Sequence, residues 1–271
     1  MKLGIFAKTF ARDSIEANLD AVRDRGFRYT QYNFACASLP TLPDAISPNL
    51  CRRIHAGHVE RGLSMAAISG TFNIIDPDRE RLEANMCRFG ALAKAASVLG
   101  TRIITLCSGT RDMEDMWRRH PDNDTPSAWD EMVTSVRRMV MLASPHDVTI
   151  AVEPELSNVI NSAAKARKLL DEVQSPHLKI VLDGANLYHR EEAHGMHRII
   201  DEAMDLLGPD IVIAHVKDLD GESDHAVRLD YDYYLHALKD VEFAGSLIVH
   251  GIDESRAAWF AANLREKLEQ E

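Results

Sequence analysis

The sequence predicts an α/β chain that closes into a (β/α)8 barrel, and three observations carry that prediction. Short β-branched runs alternate with longer stretches of helical composition along the whole chain. Several of these runs are almost continuously apolar, such as Ile211-Val212-Ile213-Ala214, which suits parallel strands covered by helices on both faces. Eight such units of about 34 residues account for the 271 residues, inside the size range of this barrel. A doubly wound sheet is the competing arrangement, and it usually carries a glycine-rich phosphate turn after its first strand. The segment in that place reads Phe6-Ala7-Lys8-Thr9-Phe10-Ala11, with no GxGxxG, and no GxxxxGKS or GxxxxGKT occurs.

In chain order, strands are expected at Lys2–Phe10, Tyr29–Phe34, Ser64–Gly70, Arg102–Cys107, Val148–Glu153, Leu178–Asp183, Ile211–Val216 and Ser246–His250. The helices between them have readable ends. Asp13-Ser14-Ile15-Glu16 offers a cap before an amphipathic run that closes at Arg25-Gly26. Asp76-Pro77-Asp78 opens a helix with acidic caps and an early proline, and Leu99-Gly100 ends it. Ser162 starts Ala163–Val173 and Pro176 stops it, Asp230 starts a helix running to about Lys239, and Asp253-Glu254 starts the last. The longest irregular stretch, Ser108 to about Thr125, follows the fourth strand and sits where a lid would lie. No linker rich in Pro, Gly or Ser interrupts the order, so residues 1–271 are read as a single domain.

Composition narrows the function classes. Apolar residues make up 45% and charged residues 27%, which is globular rather than disordered usage. The formal charge of −11 argues against a general duplex-binding protein, which neutralises phosphates with clustered Lys and Arg. No apolar run approaches the roughly 18 residues of a membrane span. Met1–Phe6 passes straight into strand-like sequence without a signal-peptide core. Cys36, Cys51, Cys87 and Cys107 are widely spaced, with no CxxC, and read as reduced thiols. The expectation is a cytoplasmic protein with neither nucleic-acid nor membrane partners; a homo-oligomer stays open.

Strands five to eight end in chemistry-bearing residues: Glu153, Asp183, His215 and His250. They are 30, 32 and 35 residues apart, one βα unit each, so all four fall at the C-terminal rim of adjacent strands. Carboxylates left unpaired near an apolar barrel top are costly to keep ionised. A divalent cation relieves that cost and leaves open positions for substrate oxygens, and mixed N/O ligation suits Mn2+, Zn2+, Fe2+ or Co2+ better than Ca2+. Four isolated capping or hydrogen-bonded polar groups are the alternative.

Ser69-Gly70-Thr71-Phe72-Asn73 with Asp76-Pro77-Asp78, then Val152-Glu153-Pro154-Glu155, Leu182-Asp183-Gly184-Ala185-Asn186-Leu187 and Ala214-His215-Val216-Lys217-Asp218 resemble strand-end motifs of one family. It is the sugar phosphate isomerase/epimerase superfamily of xylose isomerase-like TIM barrels, and the resemblance covers nearly the whole chain. It implies one divalent metal, often Mn2+ (with Zn2+, Co2+, Mg2+ and Fe2+ as alternatives), held by a Glu, an Asp, a His and a final Glu. The first three correspond to Glu153, Asp183 and His215. The chain departs from the pattern at His250, where the family has Glu. Ketose 3-epimerases of this superfamily also carry a catalytic Glu, a His and an Arg where this chain has Val159, Asn186 and Gly221. A DNA-repair branch of the same barrel needs a richer set for three zinc ions, and Asn186 again stands at a His position. The resemblance further implies that Asn73 and Asn186 hydrogen-bond sugar hydroxyls.

Three residues are candidates for moving a proton. Glu155 lies two beyond Glu153 and Lys217 two beyond His215, so each shares a face with its neighbour if the strand continues. Glu155 is either a base or a solvated rim carboxylate, and Lys217 either polarises a substrate oxygen or pairs with a neighbouring acid. His120 lies in the lid-like stretch with Arg111 and Trp117, the last two as substrate contacts. His55 and His58 share a helix surface and are expected to be exposed, and His189, His194 and His197 are read as loop and helix-start polar groups. Asp218–Asp224 is read as a solvated acidic loop. The function expected is a divalent-metal-dependent isomerase or epimerase of a small carbohydrate, keto-sugar or polyol derivative. A lyase on a 3-keto-glycoside and a non-catalytic sugar- or partner-binding barrel are the alternatives.

Overall fold

Each strand hydrogen-bonds to the next in chain order, and the last returns to the first, closing an all-parallel barrel β1 to β8. The structure is a computed structural model that describes residues 1–217 and 229–269. The staves are β1 (Lys2–Phe6), β2 (Tyr29–Tyr32), β3 (Ser64–Ser69), β4 (Ile103–Cys107), β5 (Thr149–Glu153), β6 (Leu178–Asp183), β7 (Ile211–Lys217) and β8 (Ser246–His250). Outside them lie α1 (Ile15–Asp24), α2 (Pro48–Glu60), α3 (Arg79–Leu99), α4 (Pro126–Ala143), α5 (Ala163–Val173), α6 (Met196–Leu207), α7 (Tyr231–Asp240) and α8 (Ala257–Glu269). The expected barrel, rather than a doubly wound sheet, is what forms.

The helix ends follow the cap signals. Ser14 accepts from the Ala17 N–H at 3.1 Å, Asp78 from Glu80 and Arg81, Ser162 from Lys165 and Asp230 from Tyr233, each filling orphan donors of a first turn. Gly100 ends α3 at φ +92°, a conformation a side chain resists. The main apolar core lies between staves and helices, and a smaller plug of Ala67, Ala151, Val181, Ile213 and Ile248 fills the lumen.

Two pairings contain an irregularity. Between β2 and β3 the register shifts at Thr30/Gln31, and between β6 and β7 it shifts at Ile180/Val181, leaving Val212 as the extra residue. Above the second shift Asp183 stands opposite His215, and on the next pair Lys217 stands opposite His250.

The first strand is shorter than expected. It stops at Phe6 because the buried Asn18 amide donates to Ala7 O at 2.9 Å and Phe10 O at 2.7 Å, holding Ala7–Thr9 as a tight turn. His58 also departs from expectation: it is 2% exposed, while His55 is exposed. Its ring sits between Thr30 Oγ1 and Ile54 O, at 3.0 and 2.8 Å, edge-on to Tyr32. Burial holds its imidazolium pKa down at about 4. The acidic stretch 218–224, with Gly221, lies outside the described residues. Among the described residues no helix is long and apolar enough to cross a membrane.

Candidate metal centre at the barrel mouth

The C-terminal ends of β5 to β8 bring Glu153, Asp183, His215 and His250 together. One donor atom from each lies within 4.8 Å of all the others, a group that can hold a metal ion. His215 and His250 face each other at 4.5 Å between ring centroids. Glu153, His215 and His250 line a cavity of about 630 Å3, of the size that takes a small organic ligand, and the Asp183 side chain is fully buried beside them. A cavity of about 680 Å3 opens at the opposite end of the barrel, but no Asp, Glu or His lines it.

Each side chain is oriented by partners. His215 Nε2 donates to Gln31 Oε1 at 2.9 Å, and Gln31 Nε2 donates to Thr105 Oγ1 at 3.1 Å. An amide oxygen only accepts, so this bond places a ring proton on Nε2, and in the neutral ring the lone pair is then on Nδ1. That Nδ1 is buried with no hydrogen-bond partner, 3.4 Å from Glu153 Oε2. Asp183 Oδ1 accepts from the Ala185 N–H at 3.0 Å, and Oδ2 accepts from Lys217 Nζ at 2.9 Å and His250 Nε2 at 3.0 Å. Asn186 bridges the Glu153 carboxylate and the Lys217 ammonium: its Nδ2 donates to Glu153 Oε1 at 2.9 Å and its Oδ1 accepts from Lys217 Nζ at 2.6 Å.

The electrostatics follow from burial and these contacts. Burial pushes the Asp183 carboxyl up, but the Lys217 ammonium and then His250 outweigh it and hold it far below the usual range. Glu153 is likewise raised by burial and pulled lower overall by His215 and Lys217. Burial lowers Lys217, yet Asp183 and Glu153 raise it further, so it is a cation. Burial, with His215 and Lys217 nearby, lowers His250, so its imidazole is neutral at pH 7.

Glu155 also lines the cavity, although β5 stops at Glu153 and the strand alternation does not extend to it. Its Oε2 accepts from the Ser157 N–H at 2.9 Å and Asn158 Nδ2 at 3.2 Å, and burial raises its pKa. Trp117 and Met116 line the cavity together with Phe6, Lys8 and Thr9.

Three of the expected site residues lie off the mouth. The Asn73 amide is engaged by the backbone: Nδ2 donates to Thr110 O at 2.7 Å, and Oδ1 accepts from the Thr110 and Ile75 N–H groups. Arg111 turns outward to Glu131 on α4, with Nη1 to Oε2 at 2.8 Å. His120 caps the turn Pro121–Asp124 on the surface. None of the three lines the cavity, so substrate contact by them finds no geometric support. Nor is the stretch after β4 held as a loose lid. Asn73, Asn123 and Asn158, all buried, donate to Thr110 O, Ser157 O and Met116 O and pin it as a fixed wall. Gly109 permits this packing, since a Cβ there would fall 2.1 Å from Asn73 Oδ1. Gln31 and Thr105 carry no motif, and their place in the site is visible only once the barrel closes.

The comparisons agree with the architecture. No curated protein matches the chain significantly in sequence. Among solved structures, 3-keto-D-glucoside 4-epimerase from E. coli is 19% identical, with a TM-score of 0.75 over 98% of this chain and 99% of that one. D-Psicose 3-epimerase from Clostridium cellulolyticum H10 is 18% identical, at 0.73 over 99% and 100%. The IOLI protein with a binding zinc atom is 16% identical, at 0.71 over 100% and 99%. Identities this low show a shared fold. The model of the family described as xylose isomerase-like TIM barrel matches residues 19–269. With nearly the whole chain spanned by that match, this protein belongs to the xylose isomerase-like TIM-barrel family.

Proposed function

We propose that the chain is a divalent-metal-dependent isomerase or epimerase of a small sugar, keto-sugar or polyol derivative, and that its chemistry is removal of a proton from a carbon beside a carbonyl. The observation that carries this reading is the convergence of two carboxylates and two imidazoles on one point, with His215 Nδ1 buried and without a hydrogen-bond partner. An orphaned lone pair aimed between carboxylates fits a cation, because a buried acceptor left unpaired is otherwise costly. Glu153, Asp183, His215 and His250 would hold the ion; Mn2+ is the expected one, and Zn2+ suits the two imidazoles equally. When bound, it supplies a Lewis acid that polarises a substrate carbonyl and acidifies the adjacent C–H.

The remaining work falls to residues of the mouth. Among the described residues lining the cavity, Glu155 is the carboxylate outside the four-residue group. Its Oε2 is tied to Ser157 and Asn158, which leaves Oε1 to take the proton, and burial makes it a stronger base than a solvated carboxylate. In an isomerase this group returns the proton to the neighbouring carbon, while the hydroxyl proton passes to the carbonyl oxygen. An epimerase needs a donor on the opposite face as well, and Lys217 is the candidate. Trp117, 52% exposed at the rim, offers an apolar face to a sugar ring. The structural neighbour that acts on a 3-keto-glucoside supports a keto-sugar substrate. A single base beside the carbonyl serves a lyase on a 3-keto-glycoside equally well, since elimination also begins with that proton.

The test is exchange of carbon-bound hydrogen. Metal-loaded protein in D2O is incubated with ketoses, aldoses and 3-keto-glycosides, and deuterium incorporation is read by NMR. Wash-in by wild type, lost in Glu155→Gln and in Glu153→Gln, is the expected result. Absence of exchange on the whole panel, with no divalent ion retained by the protein, overturns the reading in favour of a binding-only barrel.

A further inference from the structure

Asp183 Oδ2 is the shared acceptor of two side chains. Lys217 Nζ approaches it at 2.9 Å and His250 Nε2 at 3.0 Å, while Oδ1 is occupied by the Ala185 N–H at 3.0 Å. The Asp183 side chain is fully buried, so no water competes for that oxygen. A carboxylate oxygen offers about two lone-pair directions. Both are already taken at Oδ2. A cation that enters between Asp183 and His250 takes the direction of the His250 bond, and it meets the Lys217 ammonium as a like charge on the same oxygen, at close range in a poorly screened site.

We infer that Lys217 is an internal counter-cation that competes with the metal for Asp183, and that metal loading releases its ammonium toward the mouth. This inference rests on the proposed metal-dependent function. Lys217 lines the cavity, and its second partner, Asn186 Oδ1 at 2.6 Å, holds the ammonium at the cavity edge once Asp183 lets go. The charge count gives the released group a task. Two carboxylates and two neutral imidazoles match one divalent ion, so Lys217 is left over as a positive charge facing the substrate. An anionic oxygen on the substrate that takes up Lys217 then favours the loaded state, and by linkage the metal favours that substrate. The site is built to load its metal weakly alone and tightly together with an oxyanionic ligand.

Calorimetric titration of Mn2+ and of Zn2+ into chelator-treated protein tests this for wild type, Lys217→Met, Lys217→Gln and Lys217→Arg. The two neutral variants are expected to bind roughly tenfold tighter or better, and the charge-retaining Arg variant to bind as wild type does. Equal or weaker binding by both neutral variants, with binding by wild type intact, overturns the inference alone. No binding by any variant overturns it together with the metal reading. Lys217→Gln keeps a hydrogen-bond donor to Asp183 in case Lys217→Met does not fold. A third measurement needs no substitution: the NMR signal of the 13C-methylated Lys217 amine in wild type is expected to shift on adding Zn2+, and an unmoved signal counts against displacement.

Discussion

His215 on β7 and Gln31 on β2 meet across the barrel lumen, Nε2–H to Oε1 at 2.9 Å. A residue on the opposite wall thus decides which ring nitrogen of His215 is free. Because Gln31 is uncharged, it fixes the tautomer without favouring an imidazolium.

Replacing Gln31 by Met removes that acceptor while keeping much of the volume. Affinity for Mn2+ or Zn2+ is expected to fall about 10- to 100-fold, by calorimetry. Gln31→Glu still accepts from Nε2 and is expected to retain binding. Equal affinities for wild type and Gln31→Met would remove Gln31 from the account.

For Glu155 the raised pKa sets the sign of the pH dependence. Burial disfavours its charged form, so the basic form fills only as pH climbs through a value above the usual carboxylate range. kcat/KM is therefore expected to rise with pH along that limb. The native state also holds this proton more tightly than the unfolded chain, so stability falls as pH rises through the same window. Glu155→Gln abolishes turnover and flattens that part of the stability profile. A rate limb unchanged from an ordinary carboxylate would exclude Glu155 as the base.

The Asn73 amide ties Thr110 and Ile75 by their backbone groups. Asn73→Ala leaves the Thr110 backbone groups without their partners and is expected to cost about 2 kcal/mol in a urea melt. Faster amide exchange at Thr110 should accompany it. Loss of substrate affinity with stability intact would restore a binding role.

Arg111 and Glu131 form a half-buried pair, and hydrogen bonding to Arg111 holds the Glu131 carboxyl down at about 2. A depressed native pKa gives stability that is present above the ordinary value of 4.5 and lost as pH falls toward 2. Arg111→Met is expected to lose about 1 kcal/mol at pH 7 and much of the acid-side slope, read from melting temperature against pH. An unchanged slope would mean that another carboxylate carries the acid lability.

Trp117→Ala is the complementary case, since its ring stands exposed at the rim. Stability should stay within about 0.5 kcal/mol of wild type while KM rises for sugars that need the wall. An unaltered KM would make Trp117 part of the loop surface only.

What could be read from the chain beforehand depended on locality. Spacing by one βα unit put Glu153, Asp183, His215 and His250 on one rim, because strand ends in a parallel barrel share a direction. Caps such as Ser14, Asp78 and Ser162 are local hydrogen bonds, and they lie where the residues say. Gln31 and Thr105 were invisible, since no periodicity links β2 and β4 to a histidine on β7. That Asn73, Arg111 and His120 lie off the mouth was hidden for the same reason: hydrogen bonds of buried asparagines, reaching 34 to 49 residues along the chain, decide where that loop points. His58 looked solvent-facing on its helix, yet Thr30 and Tyr32 of β2 close over it.

The extra residue Val212 in β7 lies at the foot of the stave, yet it sets the register above it: in an unbroken ladder Val181 would pair with Val212, and Asp183 with Ala214 instead of His215. The imidazole would then turn away from the carboxylates, because neighbouring residues of a strand point to opposite faces. Alignment at the floor of the barrel thus governs competence at its rim: deleting Val212 itself, which joins Ile211 directly to Ile213, should spare an alignment that deleting Ala214 destroys.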